Sequence, residues 1–416
     1  DTVIRNLRKF IFMSATNPLW ASAVLLTERM VQPMDKPTVQ DIFHRFYPAY
    51  LDQYSPSPVQ AKVAHNIMNC KTGAYGANVC VCEDCGFVQI HYNSCRNRCC
   101  PMCQAVPKEM WMDARREDVL DAPYFHLVFT VPDILNPVIY SNQRLLYDAL
   151  YHAASSTISE LTADPKHLGA KVGYICILHT WGSEMNFHPH IHTILLGGGL
   201  ASNNQWKDNG ENFFLPIRVI SKMFRGKYLE ELKRLWEEDK LVFHGTAEKF
   251  RNHYTFKELL DSCYGMDWIP HCKKTFNGAQ TVIKYLGKYT HRIAVSNHRI
   301  VRMDDDTVTF LVKDYRNEGQ WKELTISGVE FVRRFLMHVP PRRFVRIRHY
   351  GLLCSRTKSQ KLTLCRNLLG CKKYLSKLRD MEMPEILEHL YGIKVCVCKA
   401  CGGHLGKPQM RMPLRC

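Results

Sequence analysis

Two short runs hold residue types whose spacing suits phosphoryl chemistry: His188-Pro189-His190-Ile191-His192 and Tyr285-Leu286-Gly287-Lys288-Tyr289. In a strand, side chains alternate between faces, so His190 and His192 project together on either side of Ile191, two imidazoles spaced for one divalent cation. In a helix, residues four apart share a face, so Tyr285 and Tyr289 present two phenols to one place. A phenol ionises near pH 10, and becomes a useful nucleophile only where a cation or base assists and the target phosphate's charge is screened. The runs therefore read as the metal-binding and nucleophile halves of one site able to make two attacks in sequence. Each also has a plainer reading, because alternating histidines often serve as surface or hydrogen-bonded core residues and tyrosines four apart often simply pack.

The elements around them can be read from pattern. Val172 to Trp181 and His190 to Leu196 are rich in β-branched and aromatic residues with polar punctuation between, which predicts adjacent strands and puts the histidines on a central strand. Tyr124 to Val131, carrying His126, and Thr307 to Val312 predict further strands. Helices are expected over 137–161, 219–238 and 329–337, from Pro107 to about Leu120, and over Ala279 to Lys288, where the tyrosines would lie. Thr38 with Asp41, and Ser57 followed by Pro58, predict two helix starts near the N-terminus. This order fits an α+β fold, an antiparallel sheet with helices packed on one face.

Cysteine spacing gives a second signal. Cys82-x-x-Cys85 and Cys100-x-x-Cys103 are separated by 14 residues, close to the spacing of a four-cysteine zinc ribbon whose two knuckles clamp one tetrahedral ion. Cys70, Cys80, Cys95 and Cys99 are surplus, so ligand exchange or a second ion stays open. Near the C-terminus, Cys396, Cys398 and Cys401 with Gly402-Gly403 and His404 look like half of another knuckle whose partners cannot be read, with Cys354, Cys371 and Cys416 as candidates.

Composition sets limits. The chain has 416 residues, 46% of them apolar, enough for two or three domains and inconsistent with a disordered protein. A net charge of +17 is self-repelling without a polyanionic partner, and nucleic acid is the simplest one. The basic residues are spread through globular patterns, not gathered in one polybasic run beside an anchor, and no stretch reaches the roughly 18 apolar residues of a membrane span. Eighteen cysteines in so long a chain, clustered at metal-ligand spacing, point to a reducing cytosol and zinc, not secreted disulfides. Arg342, Arg343, Arg346 and Arg348 surround Phe344, Val345 and Ile347. On a strand, Arg346 and Arg348 would share a face with Val345 and Ile347 packed behind, a face that could track a phosphate backbone while Phe344 or Tyr350 stacks on bases; a solvated edge strand is the alternative.

From about Thr38 to about Cys401 the chain resembles the two-tyrosine HUH transposases of the insertion sequence ninety-one family, which move by rolling-circle transposition. The resemblance is carried, in order, by Asn93-Ser-Cys-Arg-Asn-Arg98, Phe125-His-Leu-Val-Phe-Thr-Val-Pro132, the His188–His192 run with Gly197-Gly-Gly-Leu200, Tyr285-Leu-Gly-Lys-Tyr-Thr-His-Arg292, and Phe344-Val-Arg-Ile-Arg-His-Tyr-Gly-Leu352. Where the family usually has a histidine before a Cys-Pro pair, this chain has Cys99, which leaves the zinc ligand set open. The resemblance implies an HUH endonuclease domain of ferredoxin or RRM-like type beside an N-terminal zinc-ribbon domain. It divides the chain into a poorly ordered extension at 1–36, with Met34 a candidate start, a helical zinc-binding domain at 37–107, a catalytic domain at 108–300 and a basic DNA-binding region at 301–416.

Its implied activity is cleavage and rejoining of single-stranded DNA through a 5′-phosphotyrosine on Tyr285 or Tyr289. His190 and His192 would hold Mg²⁺ or Mn²⁺, with His188, Gln280 and His291 as candidate third ligands, while Lys288 and Arg292 would screen phosphate charge. The partners would be transposon ends and target DNA, in a bacterial cytoplasm at the nucleoid. Two rivals stand beside this reading: a zinc-dependent nucleic-acid-binding protein without catalysis, and a phosphoesterase that uses the histidines and water and leaves no covalent adduct.

Overall fold

The computed structural model describes residues 36–209, 215–268, 271–275, 282, 287, 294–314, 317–407 and 410–412. The expected extension, up to residue 35, lies outside them. The first described helix, α1 (Val39–Gln53), starts where predicted. The Thr38 hydroxyl accepts from the Asp41 N–H while the Asp41 carboxylate accepts from the Thr38 N–H at 2.8 Å, satisfying two donors that a first turn leaves without helical partners. Ser57 and Gln60 repeat the device for α2 (Pro58–Met68), and Pro58 occupies a first-turn position that needs no N–H. A hairpin of β1 (Ala77–Val81) and β2 (Val88–Tyr92) follows, then α3 (Ala105–Arg116).

The middle of the chain runs β3 (Tyr124–Thr130), α4 (Asn136–Ser141), α5 (Gln143–Ala163), β4 (Lys171–Trp181), β5 (Phe187–Leu200), β6 (Trp206–Asp208), α6 (Ile217–Glu237), α7 (His253–Gly265) and β7 (His271–Thr275). The single helix expected over 137–161 is interrupted at Asn142. Its side chain pairs with both backbone groups of Val242, at 2.7 and 2.8 Å, so a long-range contact wins over helix continuity. After this come β8 (Ile300–Met303), β9 (Thr307–Asp314), β10 (Gln320–Ser327), α8 (Gly328–Met337), β11 (Ile347–Gly351), α9 (Lys358–Leu369), α10 (Met383–Tyr391) and β12 (Met410–Met412).

The main sheet has the order β11-β4-β5-β3-β7, with β6 added beside β5, and its pairs are antiparallel. It is the α+β architecture the sequence predicts, with the histidine strand at its centre. Alternation divides the residues between its faces. Phe125, Leu127 and Phe129 of β3, Tyr174, Cys176 and Leu178 of β4, and Ile191 and Leu195 of β5 pack into one core with α5, α6 and α7. Ile175, Ile177, Ile194 and Leu196 point the other way, into a smaller cluster with Leu362 and Cys365 of α9 and with Val282.

A second core joins α1 and α2 to α8 and β8–β10. The apolar positions of α1 (Ile42, Phe43, Phe46, Tyr47, Tyr50) recur at helical spacing, and Phe43 meets Phe335 of α8 edge-on at 5.2 Å. In β9 the alternating Val308, Phe310 and Val312 face the same core, where Phe310 meets Phe331 at 5.6 Å. Units read from the sequence as consecutive thus interleave in space: helices from 37–68 share a core with 300–339, and β11 is an edge strand of the main sheet. Among the described residues no helix is long and apolar enough to cross a membrane.

The glycine triplet at the end of β5 is a packing requirement. A Cβ on Gly197 would lie 2.8 Å from the Phe125 ring, one on Gly198 would overlap the Trp206 indole, and one on Gly199 would run into the Lys171 carbonyl. The last obstacle is backbone of the paired strand and cannot rotate away. Gly199→Ala is therefore expected to destabilise the fold by about 1–3 kcal/mol, measured as a lowered midpoint of chemical denaturation; an unchanged midpoint would refute the close approach.

Candidate active site and metal centres

Register builds the histidine cluster. In the β4–β5 pair His179 lies directly opposite His190, and Ile177 opposite His192. His179 has the parity of Ile175 and Ile177, and His190 and His192 that of Ile194, so all three imidazoles rise from the same sheet face. One ring nitrogen from each lies within 4.8 Å of the others, and all three residues are buried. The His190 Nδ1–H donates to the His188 carbonyl at 2.7 Å, which turns its Nε2 toward the His192 Nε2, 3.0 Å away. His126 of β3 lies on the same face behind the cluster, its Nε2 2.9 Å from His192 Nδ1, an outer contact that fixes the ring's orientation.

Burial, reinforced by the neighbouring His188, pushes the His190 imidazole down to about 4. His192 is held well below the ordinary range by burial and by His179, His190 and His126. Both rings are therefore neutral near pH 7 and offer lone pairs. Three convergent buried imidazoles fit one divalent cation.

The sequence reading missed His179. Its signal was present, since a predicted strand with a histidine two residues from its end neighboured the histidine strand, but choosing it required the register. His188 is placed apart from the trio, with its Nδ1 3.2 Å from Asp133 Oδ1. Gln280, Tyr285, Lys288, Tyr289, His291 and Arg292 lie outside the described residues. Val282 and Gly287, which are described, are helical, and Gly287 sits so close to Met112 of α3 that a Cβ there would overlap its sulfur.

The turn joining β4 to β5 is held by the second core. Arg299 donates to the Ser183 carbonyl at 2.6 Å, Arg334 to the Glu184 carbonyl at 2.9 Å and the His338 Nε2–H to the Met185 carbonyl at 2.9 Å, while His338 Nδ1 meets the Thr180 hydroxyl at 3.1 Å. Burial pushes His338 down to about 4, so it serves as a neutral bridge.

The cysteines divide differently from the expectation. Cys70, Cys95, Cys100 and Cys103 form one group of four and Cys82, Cys85, Cys398 and Cys401 another, each with its sulfurs within 4.8 Å of one another. Cys82 and Cys85 thus do not meet Cys100 and Cys103. The reason is the β1–β2 hairpin: Cys82 and Cys85 occupy its tip, whereas Cys70 and Cys95 flank its base, five strand residues or roughly 17 Å away. In the first group Cys95 Sγ lies 3.8 Å from Cys103 Sγ, and the Cys95 N–H donates to Cys70 Sγ at 3.5 Å. That donor set fits a tetrahedral zinc ion. Cys80 and Cys99 are buried outside both groups.

The arginine face also differs. β11 begins at Ile347, after Arg346, and Arg348 opposes Cys176 on the helix-covered side, where it ion-pairs with Asp148 and lies 4.0 Å from the Tyr151 ring centre. Phe344 is only 1% exposed between Tyr147 and Tyr151, Tyr350 stacks on Tyr174, and Val345, expected behind the arginines, is 58% exposed. Pairing of β11 with β4 drew this strand into the core. Arg342 and Arg343 remain at the surface, and Arg98, Arg343 and Arg346 line an open cleft of about 340 Å³.

Comparison with known proteins places these features. The family described as a putative transposase matches residues 173–361, and the transposase zinc-binding domain matches residues 42–131. The chain is 40% identical over 369 residues to the putative transposase y4qJ of Sinorhizobium fredii, covering 88% of this chain and 93% of that protein. It is 30% identical over 309 residues to the transposase for insertion sequence element IS801 of Pseudomonas savastanoi pv. phaseolicola, covering 73% of this chain and 72% of the relative. A conjugative relaxase, TrwC, solved with OriT DNA, overlaps 42% of this chain and 68% of its own at 14% identity and a TM-score of 0.22, too loosely to bear on the site.

His338→Phe preserves the ring's bulk but takes a partner from Thr180 and Met185. A loss of about 1–3 kcal/mol is expected, with faster amide exchange confined to residues 182–186, read by hydrogen–deuterium exchange. Unchanged protection there would mean that the second core does not hold the turn.

Proposed function

Because this chain belongs to the insertion sequence ninety-one family of transposases, we propose that it cuts and rejoins single-stranded DNA at transposon ends and targets by tyrosine attack beside a histidine-held cation. The observation that carries the reading is the buried, convergent trio His179, His190 and His192 on one face of the central strands. His179 takes the third-ligand place for which His188, Gln280 and His291 were candidates. An all-imidazole set suits Mn²⁺ better than Mg²⁺, which prefers oxygen donors. Bound there, the cation would polarise the scissile phosphate and screen its charge.

The protein's own groups do the rest. The phenol of Tyr285 or Tyr289 gives up its proton and its oxygen attacks phosphorus; the P–O3′ bond breaks, a 3′-hydroxyl leaves and the 5′-phosphate stays esterified to tyrosine. A 3′-hydroxyl from another strand reverses the step by forming a new P–O3′ bond and releasing the phenol, so no nucleotide cofactor is consumed. Two tyrosines allow a second strand to be held before the first is resolved. Lys288, Arg292 and the Arg98–Arg343–Arg346 cleft would receive phosphates, and the zinc held by Cys70, Cys95, Cys100 and Cys103 would be structural, because four thiolates close its coordination sphere.

Incubating the protein with 3′-labelled single-stranded DNA of the element's end and Mn²⁺, then separating on a denaturing gel, tests this. Label should migrate with protein and disappear only when both Tyr285 and Tyr289 become Phe. Cleavage without an adduct would favour the water-using phosphoesterase, and binding alone the non-catalytic binder. His179→Ala should slow cleavage by roughly 10²–10³-fold. His126→Ala should weaken Mn²⁺ binding by roughly 10–100-fold in calorimetry while leaving the trio in place; equal effects of the two variants would remove the distinction between ligand and outer contact.

A further inference from the structure

Cys398 and Cys401 lie beyond both matched family segments, which end at residues 131 and 361. They nevertheless face the hairpin tip. We infer that Cys82, Cys85, Cys398 and Cys401 form a second tetrathiolate zinc site, which fastens the C-terminal segment to the N-terminal hairpin and makes one ribbon from the two ends of the chain.

The two halves are built alike. Gly86 N–H donates to the Cys82 carbonyl at 3.0 Å and Cys82 N–H to the Phe87 carbonyl at 2.9 Å; Gly402 N–H donates to the Cys398 carbonyl at 3.0 Å and Cys398 N–H to the Gly403 carbonyl at 2.8 Å. Gly86 and Gly402 have φ of +68° and +77°, a conformation that glycine adopts without cost. Each half is thus a Cys-x-x-Cys-Gly knuckle, a turn that aims two thiols at one point. Around Cys398 and Cys401, backbone N–H groups of Ala400 and Gly403 point at the sulfurs at 3.4 Å, an arrangement that favours thiolates.

The spacing of the sulfurs is that of ligands. Cys82 Sγ lies 3.5 Å from Cys401 Sγ and Cys85 Sγ 3.7 Å from Cys398 Sγ. A disulfide needs about 2.05 Å, whereas the edge of a tetrahedron with Zn–S bonds of about 2.3 Å is about 3.8 Å. The backbone around the site is complementary too. Cys82 bridges to Leu405 and Val397 to His404, and β12 pairs with β1 from Ala77↔Met412 to Val79↔Met410. Asp84 accepts from the His404 N–H at 3.3 Å and leaves no room for a side chain at Gly403.

Zinc is counted by mass spectrometry of the native full chain in a His190→Ala/His192→Ala background, so that only thiolate-held ions register. Two ions per chain are expected, falling to one in Cys398→Ser/Cys401→Ser and to one in Cys95→Ser/Cys103→Ser. A single ion in the parent, or two retained without Cys398 and Cys401, would overturn the assignment. Should the serine variants not fold, iodoacetamide mapping of the unsubstituted protein decides. Cys85 and Cys401 are exposed, as is Cys354. In zinc-loaded protein Cys354 should be alkylated and Cys85 and Cys401 protected, and a chelator should release Cys82, Cys85, Cys398 and Cys401 together. Alkylation of Cys85 and Cys401 as fast as Cys354 before chelation refutes the site.

Discussion

The candidate active site depends on the register of one antiparallel pair. β4 and β5 set His179 against His190, and alternation brings His192 to the same face. A slip of β5 by one residue would turn His190 and His192 to the face covered by α5, α6 and α7, put Ile191 in their place and leave His179 without them. The pair is irregular between Val172 and Tyr174 and again between His179 and Trp181, and the stretch from Tyr174 to His179 between them keeps one unbroken register. The apolar alternation that fixes the sheet in its core is therefore also what brings the three imidazoles together, so one determinant would serve both stability and the proposed site.

That register is defended from outside the sheet. The turn between the two strands carries no core of its own; its carbonyls at Ser183, Glu184 and Met185 are taken by Arg299, Arg334 and His338. These three residues belong to the unit formed by α1, α2, α8 and β8–β10, whose aromatic contacts between Phe43, Phe335, Phe310 and Phe331 hold it rigid. Glu330, in the first turn of α8, pairs with Arg333 and Arg334, and these arginines hold its carboxyl down to about 2. Arg334 thus reaches the turn from a fixed base. The zinc-binding region and the histidine hairpin are coupled through shared packing, since α2 ends at Met68, two residues before Cys70, and the carbonyls of Ile67, Met68 and Cys70 are bound by the Gln40 amide of α1.

What could be read in advance was local. Alternation around Ile191 put His190 and His192 on one face, capping residues placed two helices, and Cys-x-x-Cys spacing marked the knuckles, because each signal fits within a few residues. What failed was pairing between segments. His179 could not be chosen without the strand register. Cys82 and Cys85 were assigned to the nearer cysteine pair in sequence, whereas a hairpin separates tip from base. Cys398 lies 313 positions from Cys85, a distance across which spacing says nothing. Arg348 was expected to face solvent and instead lies over Tyr151, since an edge strand acquires a buried side once a helix covers it.

The two cysteine groups also differ in what they close. Cys70, Cys95, Cys100 and Cys103 lie within 34 residues of chain, so their ion closes short loops. Cys82 and Cys85 with Cys398 and Cys401 enclose more than 300 residues, including the whole main sheet. Loop-closure entropy grows only with the logarithm of length, so joining such distant points costs little more than joining near ones, provided the ends already lie together. Here they do, because α1 and α2 share a core with α8, and α9 lies against the sheet that α5 covers from the other side. The second ribbon half is therefore a lock set on an arrangement that packing has already made, and the sheet carrying the histidines does not need that lock to reach its register.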